Sequence, residues 1–262
     1  MNTSSVKSFY ESFPYPSKKI LTKKHLYDNC YWVAKLVNKK PTEFRKSDKI
    51  LEAGCGTGEF SCGFALSGAS VLGIDLSKNS LSEARILAKK FSLKNVSFKQ
   101  MNLLQNNLTP NSFDYIFSMG VLHHNQNPKE AFNKLAVLLK SNGFIVIGLY
   151  NKYSRFPVKL KRIFVSFFAK DPEKRILLAN KLFHQNKSLT KSRRIWLMDK
   201  YCHPLEKTVS FSEVLSWFRG NNISFLSSNP KVNSLNKLHL LSAQLSWTIK
   251  EKNFFVVAGR KI

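Results

Sequence analysis

Two carboxylates and three glycines stand in an order that could build a small cradle. Glu52 follows the apolar pair Ile50-Leu51 and leads into Ala53-Gly54-Cys55-Gly56-Thr57-Gly58. Gly54 and Gly56 let the backbone turn tightly and approach a ligand with no Cβ in the way. A helix is expected over residues 59–66, and its first N–H groups are free to meet an anionic group. Asp75 closes a second apolar run, Gly73-Ile74-Asp75-Leu76-Ser77, seventeen residues after Gly58. A carboxylate at that place accepts the hydroxyls of a ribose. By itself Asp75 would serve equally as a helix cap, so the signal lies in its pairing with the glycine loop.

The glycine spacing separates classes of cofactor. A dinucleotide site needs G-x-G-x-x-G with the pyrophosphate at the helix start. Here the spacing is G-x-G-x-G, and the next residue, Glu59, would repel a pyrophosphate. No phosphate-binding G-x-x-x-x-G-K-[ST] string occurs. S-adenosylmethionine carries no phosphate, and Glu52 can meet its ammonium group.

These residues need a scaffold of alternating strands and helices. Strand-like runs fall at residues 49–53, 69–75, 95–99, 113–119 and 144–149. Helical spacing places Leu81, Ala84 or Arg85, and Ala88 on one face of residues 77–91. A further helix covers residues 128–139, with Pro128 in the first turn, where a missing N–H is harmless. Repeated βα units with buried strands predict an α/β fold, a mostly parallel sheet with helices on both faces and ligands beyond the strands' carboxyl ends. Ser210 and Glu213 form a capping-box signature ahead of a helix at 210–220. Two last strands are expected at 223–227 and 254–259, and periodicity does not decide residues 232–251. The expected division is an N-terminal helical cap at 1–47, a cofactor-binding core at 48–150, an inserted helical lid or substrate module at 151–206, and a C-terminal completion of the sheet at 207–262.

The strings LEAGCGTG, GIDLS, FDYIFSMGVLHH and LLKSNGFIVIGLY resemble class I S-adenosylmethionine-dependent methyltransferases, type 11/12-like, of the bacterial small-molecule branch. The resemblance covers residues 48–150 and the closing strands. It implies a Rossmann-like seven-stranded sheet with a reversed last strand; the basic helical insertion after strand 5 is read from residues 151–206 themselves, which are helical in pattern with no clear strand. The cofactor residues it implies are Glu52, Gly54, Cys55, Gly56, Gly58, Asp75, Leu76, Asn102, Leu103 and Met119. Asn102 stands where many relatives carry an Asp facing the adenine. Ser141-Asn142-Gly143 replaces their Pro-Gly-Gly and still turns the chain.

Methyl transfer is an in-line displacement, so the enzyme aligns acceptor and donor and takes a proton where one must leave. The candidate bases are His123, His124 and His203. Similar aromatic N-termini close over the pocket in relatives, which makes Tyr10 and Tyr15 candidate substrate contacts. Tyr201, His203 and Glu206 lie in a polar string at the end of the insertion and are candidates too. The Val121-Leu122-His123-His124 string suits small-molecule and quinone-type enzymes, and also tRNA wobble-uridine enzymes. The [N/D]-P-P-[Y/F] loop of DNA-base methyltransferases is replaced by Ser118-Met119-Gly120-Val121, which argues against DNA. The expected activity is therefore methyl transfer to a small-molecule or lipid-like acceptor. The alternatives are a tRNA-modifying enzyme and a non-catalytic protein of the same fold.

Composition bounds the rest. The net charge is +26, with 42 Lys and Arg against 16 Asp and Glu. Lys outnumbers Arg 33 to 9 and there are 22 Asn, a balance that AT-rich codons alone would produce. The excess is uneven: residues 51–150 are net +3 and residues 151–200 net +11. The insertion contains Lys159-Leu160-Lys161-Arg162-Ile163-Phe164-Val165-Ser166-Phe167-Phe168. This helix is expected to bury its Phe face on the core and leave its lysines in water. The same composition would suit peripheral contact with an anionic membrane, or RNA phosphates. No RNA-recognition signature of the RRM or KH type accompanies it. Four cysteines without C-x-x-C or zinc spacing indicate reduced thiols and no metal. No apolar run approaches the roughly 18 residues of a membrane span, and residues 1–10 lack a signal core. A cytoplasmic location is expected.

Overall fold

The structure is a computed structural model that describes residues 3–16 and 19–262. Two helices, α1 (Thr3–Ser12) and α2 (Lys23–Ala34), precede the sheet. The alternating core follows as β1 (Lys49–Ala53), α3 (Glu59–Ala65), β2 (Ser70–Asp75), α4 (Lys78–Lys90), β3 (Val96–Gln100), β4 (Phe113–Met119), α5 (Pro128–Leu138) and β5 (Leu139–Tyr150). The insertion contributes α6 (Phe156–Phe168), α7 (Pro172–Phe183) and α8 (Lys191–Cys202). The chain ends with α9 (Phe211–Arg219), β6 (Ile223–Asn229), α10 (Lys237–Ile249) and β7 (Phe254–Lys261).

The seven strands run in the order β3-β2-β1-β4-β5-β7-β6. The first five pair in parallel, and β7 lies antiparallel between β5 and β6. This is the Rossmann-like sheet with a reversed last strand that the sequence predicts. Successive residues of a strand face opposite sides, and both sides are covered. Leu51, Ile116, Ile145 and Ile147 pack with Phe132, Trp217 and Trp247 on one face. Ile50, Tyr115, Phe117 and Val146 pack with Val33 and Phe64 on the other. The undecided stretch 232–251 contains α10, whose buried Leu240, Gln244 and Trp247 share one face at helical spacing. The Ser210–Glu213 capping box is formed as expected.

The insertion leaves and rejoins the sheet at one place. Lys152 N donates to Val209 O and Val209 N to Tyr150 O, each at 3.0 Å. The ends of the insertion are clamped by a buried ion pair in which Arg155 donates twice to Glu206, at 2.9 and 2.7 Å. Arg162 adds a bond to Glu206 at 2.9 Å and one to His203 O at 2.7 Å. The insertion has a small core of its own, with Val165, Ile176, Leu197, Met198 and Tyr201, against which Phe9 of α1 and Phe13 just beyond it pack.

One expectation is overturned here. The Phe face of α6 does not meet the core. Val158 and Val165 are the buried apolar residues of this helix, and Phe156, Leu160, Ile163, Phe164, Phe167 and Phe168 are exposed. With residues of α7, α8 and the N-terminal Phe9 and Phe13 packed around the insertion's core, α6 docks through its narrow valine line. No helix among the described residues is long and apolar enough to cross a membrane.

Candidate active site

A cavity of about 390 Å³ opens at the carboxyl ends of β1, β2 and β4. Its floor is the glycine loop. Gly54 and Gly56 have φ of 76° and 50°, in the left-handed region. A Cβ at Gly54 would strike the Val121 side chain, and one at Gly56 would lie 2.2 Å from Tyr15 O. The loop is therefore side-chain-free because the β4 loop and the N-terminal segment press against it. Asp75 holds it in place: its carboxylate accepts from Gly56 N and from Ser77 N, both at 2.9 Å. Ser77, not Asp75, caps α4.

The N-terminal helix is latched over this floor. The Glu11 carboxylate accepts from Lys78 N at 2.9 Å and Asn79 N at 3.0 Å. A carboxylate on the free N–H groups of α4 also complements that helix's dipole. The latch brings Tyr10 and Tyr15 into the cavity wall.

The adenosyl-side expectations fall mostly around this one space. Glu52, Gly54, Cys55, Gly56, Asp75, Leu76, Asn102, Leu103 and Met119 line it. Gly58 does not: it is the N-cap of α3, and its absent Cβ makes room for Ala84 and Phe98. Asn102 already accepts from Leu104 N at 3.0 Å, which fixes its side chain at the rim. Glu52 is buried and accepts a short hydrogen bond from Ser61. Burial pushes its carboxyl up to about 8, with the charges of Glu59 and Asp75 adding and the Ser61 bond opposing.

The opposite end of the cavity holds a polar cluster that the sequence reading only partly anticipated. Asp199, on α8, reaches in from the insertion. Tyr10 donates to its Oδ1 at 3.2 Å and Tyr150 to its Oδ2 at 3.3 Å. Burial, and then the Asp199 charge, push both phenols well above their ordinary value, so they remain donors. His124 lines the cavity beside them. Its Nδ1 lies 2.8 Å from Leu205 O. A carbonyl only accepts, so Nδ1 carries the proton and Nε2 presents a lone pair. Burial holds this imidazole below its ordinary value, with Asp199 and the Leu205 carbonyl pulling the other way.

The remaining candidates lie behind this surface. His203 stacks on His124 at 3.7 Å between ring centroids and is outside the cavity lining. Its Nδ1 accepts from Leu205 N at 3.1 Å, so the proton of the neutral ring sits on Nε2. Burial drives its pKa down to about 2. His123 is buried with neither ring nitrogen hydrogen-bonded, and packs on Tyr150 at 4.1 Å. Tyr201 belongs to the insertion's own core and meets His184 Nε2 at 2.9 Å. Glu206 is committed to Arg155 and Arg162. His124, Asp199 and His203 bring ligand-type atoms within 4.8 Å of one another. With Nε2 protonated and Nδ1 already accepting, His203 has no free lone pair for an ion in this arrangement.

The charge of the lining decides which cofactor fits. Among the described residues it includes Glu52, Glu59, Asp75 and Asp199 and no Lys or Arg, in a chain of net charge +26. Such a space repels phosphate and favours a ligand bearing a sulfonium and an ammonium. Glu52 would meet the ammonium, and Asp75, at the end of β2, the ribose.

A methyltransferase-domain family model matches residues 44–206. The chain belongs to this methyltransferase family, whose cofactor is S-adenosylmethionine. It is 31% identical over 107 residues to a ubiquinone biosynthesis O-methyltransferase of Photobacterium profundum, covering 41% of this chain and 46% of that protein. It is 24% identical over 249 residues to an uncharacterized protein of Synechococcus, covering 86% of this chain and 59% of that one. The chain thus spans about half the length of the curated relatives it matches. Among solved structures, PKMT2 from Rickettsia typhi aligns with TM-score 0.68 at 16% identity, over 92% of this chain and 53% of that one. Magnesium protoporphyrin IX methyltransferase from Synechocystis, with bound SAH, aligns with TM-score 0.60 at 14% identity over 100% of both chains.

Proposed function

We propose that the chain transfers the methyl group of S-adenosylmethionine to a small or lipid-like acceptor seated between Asp199 and His124. The observation that carries this reading is the cavity itself: four acids with no lysine or arginine among the described residues of its wall, and one polar corner in an otherwise largely apolar and aromatic space. When bound, the cofactor supplies an electrophilic methyl group. His124 Nε2 takes the proton that the acceptor releases as its lone pair attacks. Asp199 offsets the positive charge that forms on His124, and the two tyrosine hydroxyls keep its carboxylate in place. Leu205 fixes the His124 tautomer through its carbonyl. Relatives named for ubiquinone biosynthesis and magnesium protoporphyrin IX support a small-molecule acceptor over a nucleic acid.

The test is incubation with methyl-labelled cofactor and fractionated cell extract. Label is expected in the organic-soluble or small-solute fraction, and is expected to vanish with His124→Ala. Label in RNA would favour a tRNA-type enzyme instead. Cofactor binding with no label in any fraction would leave a non-catalytic binding protein.

A further inference from the structure

Apart from an edge contact of Phe164 with Phe183, at 6.4 Å between ring centroids, the outward face of α6 has no aromatic partner on another element among the described residues. Phe156, Leu160, Ile163, Phe164 and Phe167 recur at i, i+4, i+7, i+8 and i+11, which is one stripe of a 3.6-residue helix. Phe167 is 78% exposed, and Phe168 lies exposed beside it. The helix is 13 residues long, hence about 20 Å. A stripe of this kind normally faces a core, and here the core side is the valine line opposite.

The cations are placed to match. On the helical wheel Lys159 falls on one edge of the stripe and Lys161 on the other, with Lys152 ahead of the helix and Lys170 behind it. None of these four lies within the stripe. An apolar face flanked by lysines is the arrangement of a helix lying in the headgroup layer, with its side chains in the acyl boundary and its ammonium groups among the phosphates. A single-stranded RNA surface differs, because stacking aromatics there alternate with the cations that track the backbone. Leu160 and Ile163 offer no stacking plane at all. Helix α10 also exposes an apolar stripe, Leu238, Leu241, Leu245 and Ile249, but Ser242 and Ser246 stand along its edge.

We infer that the outward face of α6 docks the protein on an anionic lipid bilayer. Val158 and Val165 hold the helix to the insertion, and Arg162 ties it to Glu206 and the His203 carbonyl. The stripe is thereby presented as a rigid face. The docking is independent of which acceptor occupies the cavity.

The test uses the full chain without cofactor or acceptor, and co-sedimentation with vesicles. One set is phosphatidylcholine alone, the other phosphatidylcholine mixed with phosphatidylglycerol. Binding is expected to the mixed vesicles and only weakly to the neutral ones. Phe167→Ser with Phe168→Ser is expected to weaken it roughly tenfold or more at unchanged charge. Lys159→Gln with Lys161→Gln is expected to abolish the preference for phosphatidylglycerol. Circular dichroism checks that both variants remain folded; Lys159, Phe167 and Phe168 are exposed and Lys161 is half-buried. No sedimentation with mixed vesicles overturns the proposal. So does binding that the Phe substitutions leave unchanged, or tighter binding to single-stranded RNA that competes with vesicles. A dimer by ultracentrifugation that the same Phe substitutions dissociate assigns the face to a second copy of this chain and overturns it equally.

Discussion

The cavity and the outer lid put ionisable groups to opposite uses. In the cavity, Glu52, Glu59, Asp75 and Asp199 share a wall with no lysine or arginine among its described residues. Across residues 151–200, fourteen basic side chains face three acids, and one of those three, Asp199, turns inward. Net charge therefore says little about the ligand of this protein. Lysines accumulate where water screens them, whereas each carboxylate near the cavity is committed by geometry. The buried cation of the lid is an arginine, Arg155, which forms a two-pronged pair with Glu206 and stacks on Tyr150 at 3.8 Å. A lysine offers neither the fork nor the planar face.

The largest expected effect breaks the cavity side of this contrast. His124→Ala should lower turnover by about 10²–10⁴ while leaving cofactor affinity within about twofold, read by single-turnover kinetics and calorimetry. An equal loss in cofactor affinity would mean that His124 holds the pocket's shape and not the proton. On the lid side, Glu206→Ala leaves Arg155 buried and unpaired, a loss of about 3–5 kcal/mol in unfolding free energy. Urea denaturation measures it. A loss under about 1 kcal/mol would mean that water reaches Arg155 and the clamp is not a closed one.

These two residues differ in how legible they were. His124 stands in a string that already suggested a site, but His123 beside it looked equivalent. Only the Leu205 carbonyl, more than eighty residues away, distinguishes the ring that faces the cavity. Glu206 reads in the sequence as one member of a polar string, and the fold makes it a clamp, because its partners Arg155 and Arg162 lie across the insertion. Asp199 could have been singled out as the last acid before Glu206 in a basic segment, yet its reach into the cavity depends on how α8 docks. The strands were readable because both faces are buried and leave continuous apolar runs. For α6 the stripe was readable and its direction was not: periodicity defines a face, but packing elsewhere in the insertion chooses what that face meets.

A smaller effect is expected at Asp75. Asp75→Ala should weaken the cofactor by about one to two orders of magnitude, from charge-assisted hydrogen bonds worth roughly 1.5–3 kcal/mol. Calorimetry at fixed pH reads it, and an unchanged affinity would take Asp75 out of the ribose contact and leave it as the tie on Gly56. Glu52 should show itself in the pH dependence. With burial holding its carboxyl near 8, the free protein carries a proton there at pH 6 that must leave before an ammonium can bind. Affinity should therefore rise with pH, by up to about tenfold per unit, and level off above about 8. Glu52→Gln should flatten that rise. Folding has the opposite sign: a folded-state value above the unfolded one gives stability present at low pH and lost as pH climbs toward 8. The melting temperature of the cofactor-free protein should fall over that range, and less so in Glu52→Gln.

The smallest expected effect sharpens the lid side. Lys159→Gln with Lys161→Gln removes two charges from the edges of the α6 stripe and one contact, Lys161 Nζ over the half-buried Phe183 ring at 5.2 Å. Surface changes of this kind stay within about 0.5 kcal/mol each, so the melting temperature should move by no more than about 2–4 °C. Removing positive charge from a chain of net charge +26 relieves repulsion, so the movement should be upward, and larger at low salt than at high. Differential scanning calorimetry at two ionic strengths reads both sign and salt dependence. A destabilisation that persists at high salt would show these lysines packing along the helix through their alkyl stems. The lid surface would then be held by its cations as the cavity is by its acids, and the contrast between the two regions would narrow.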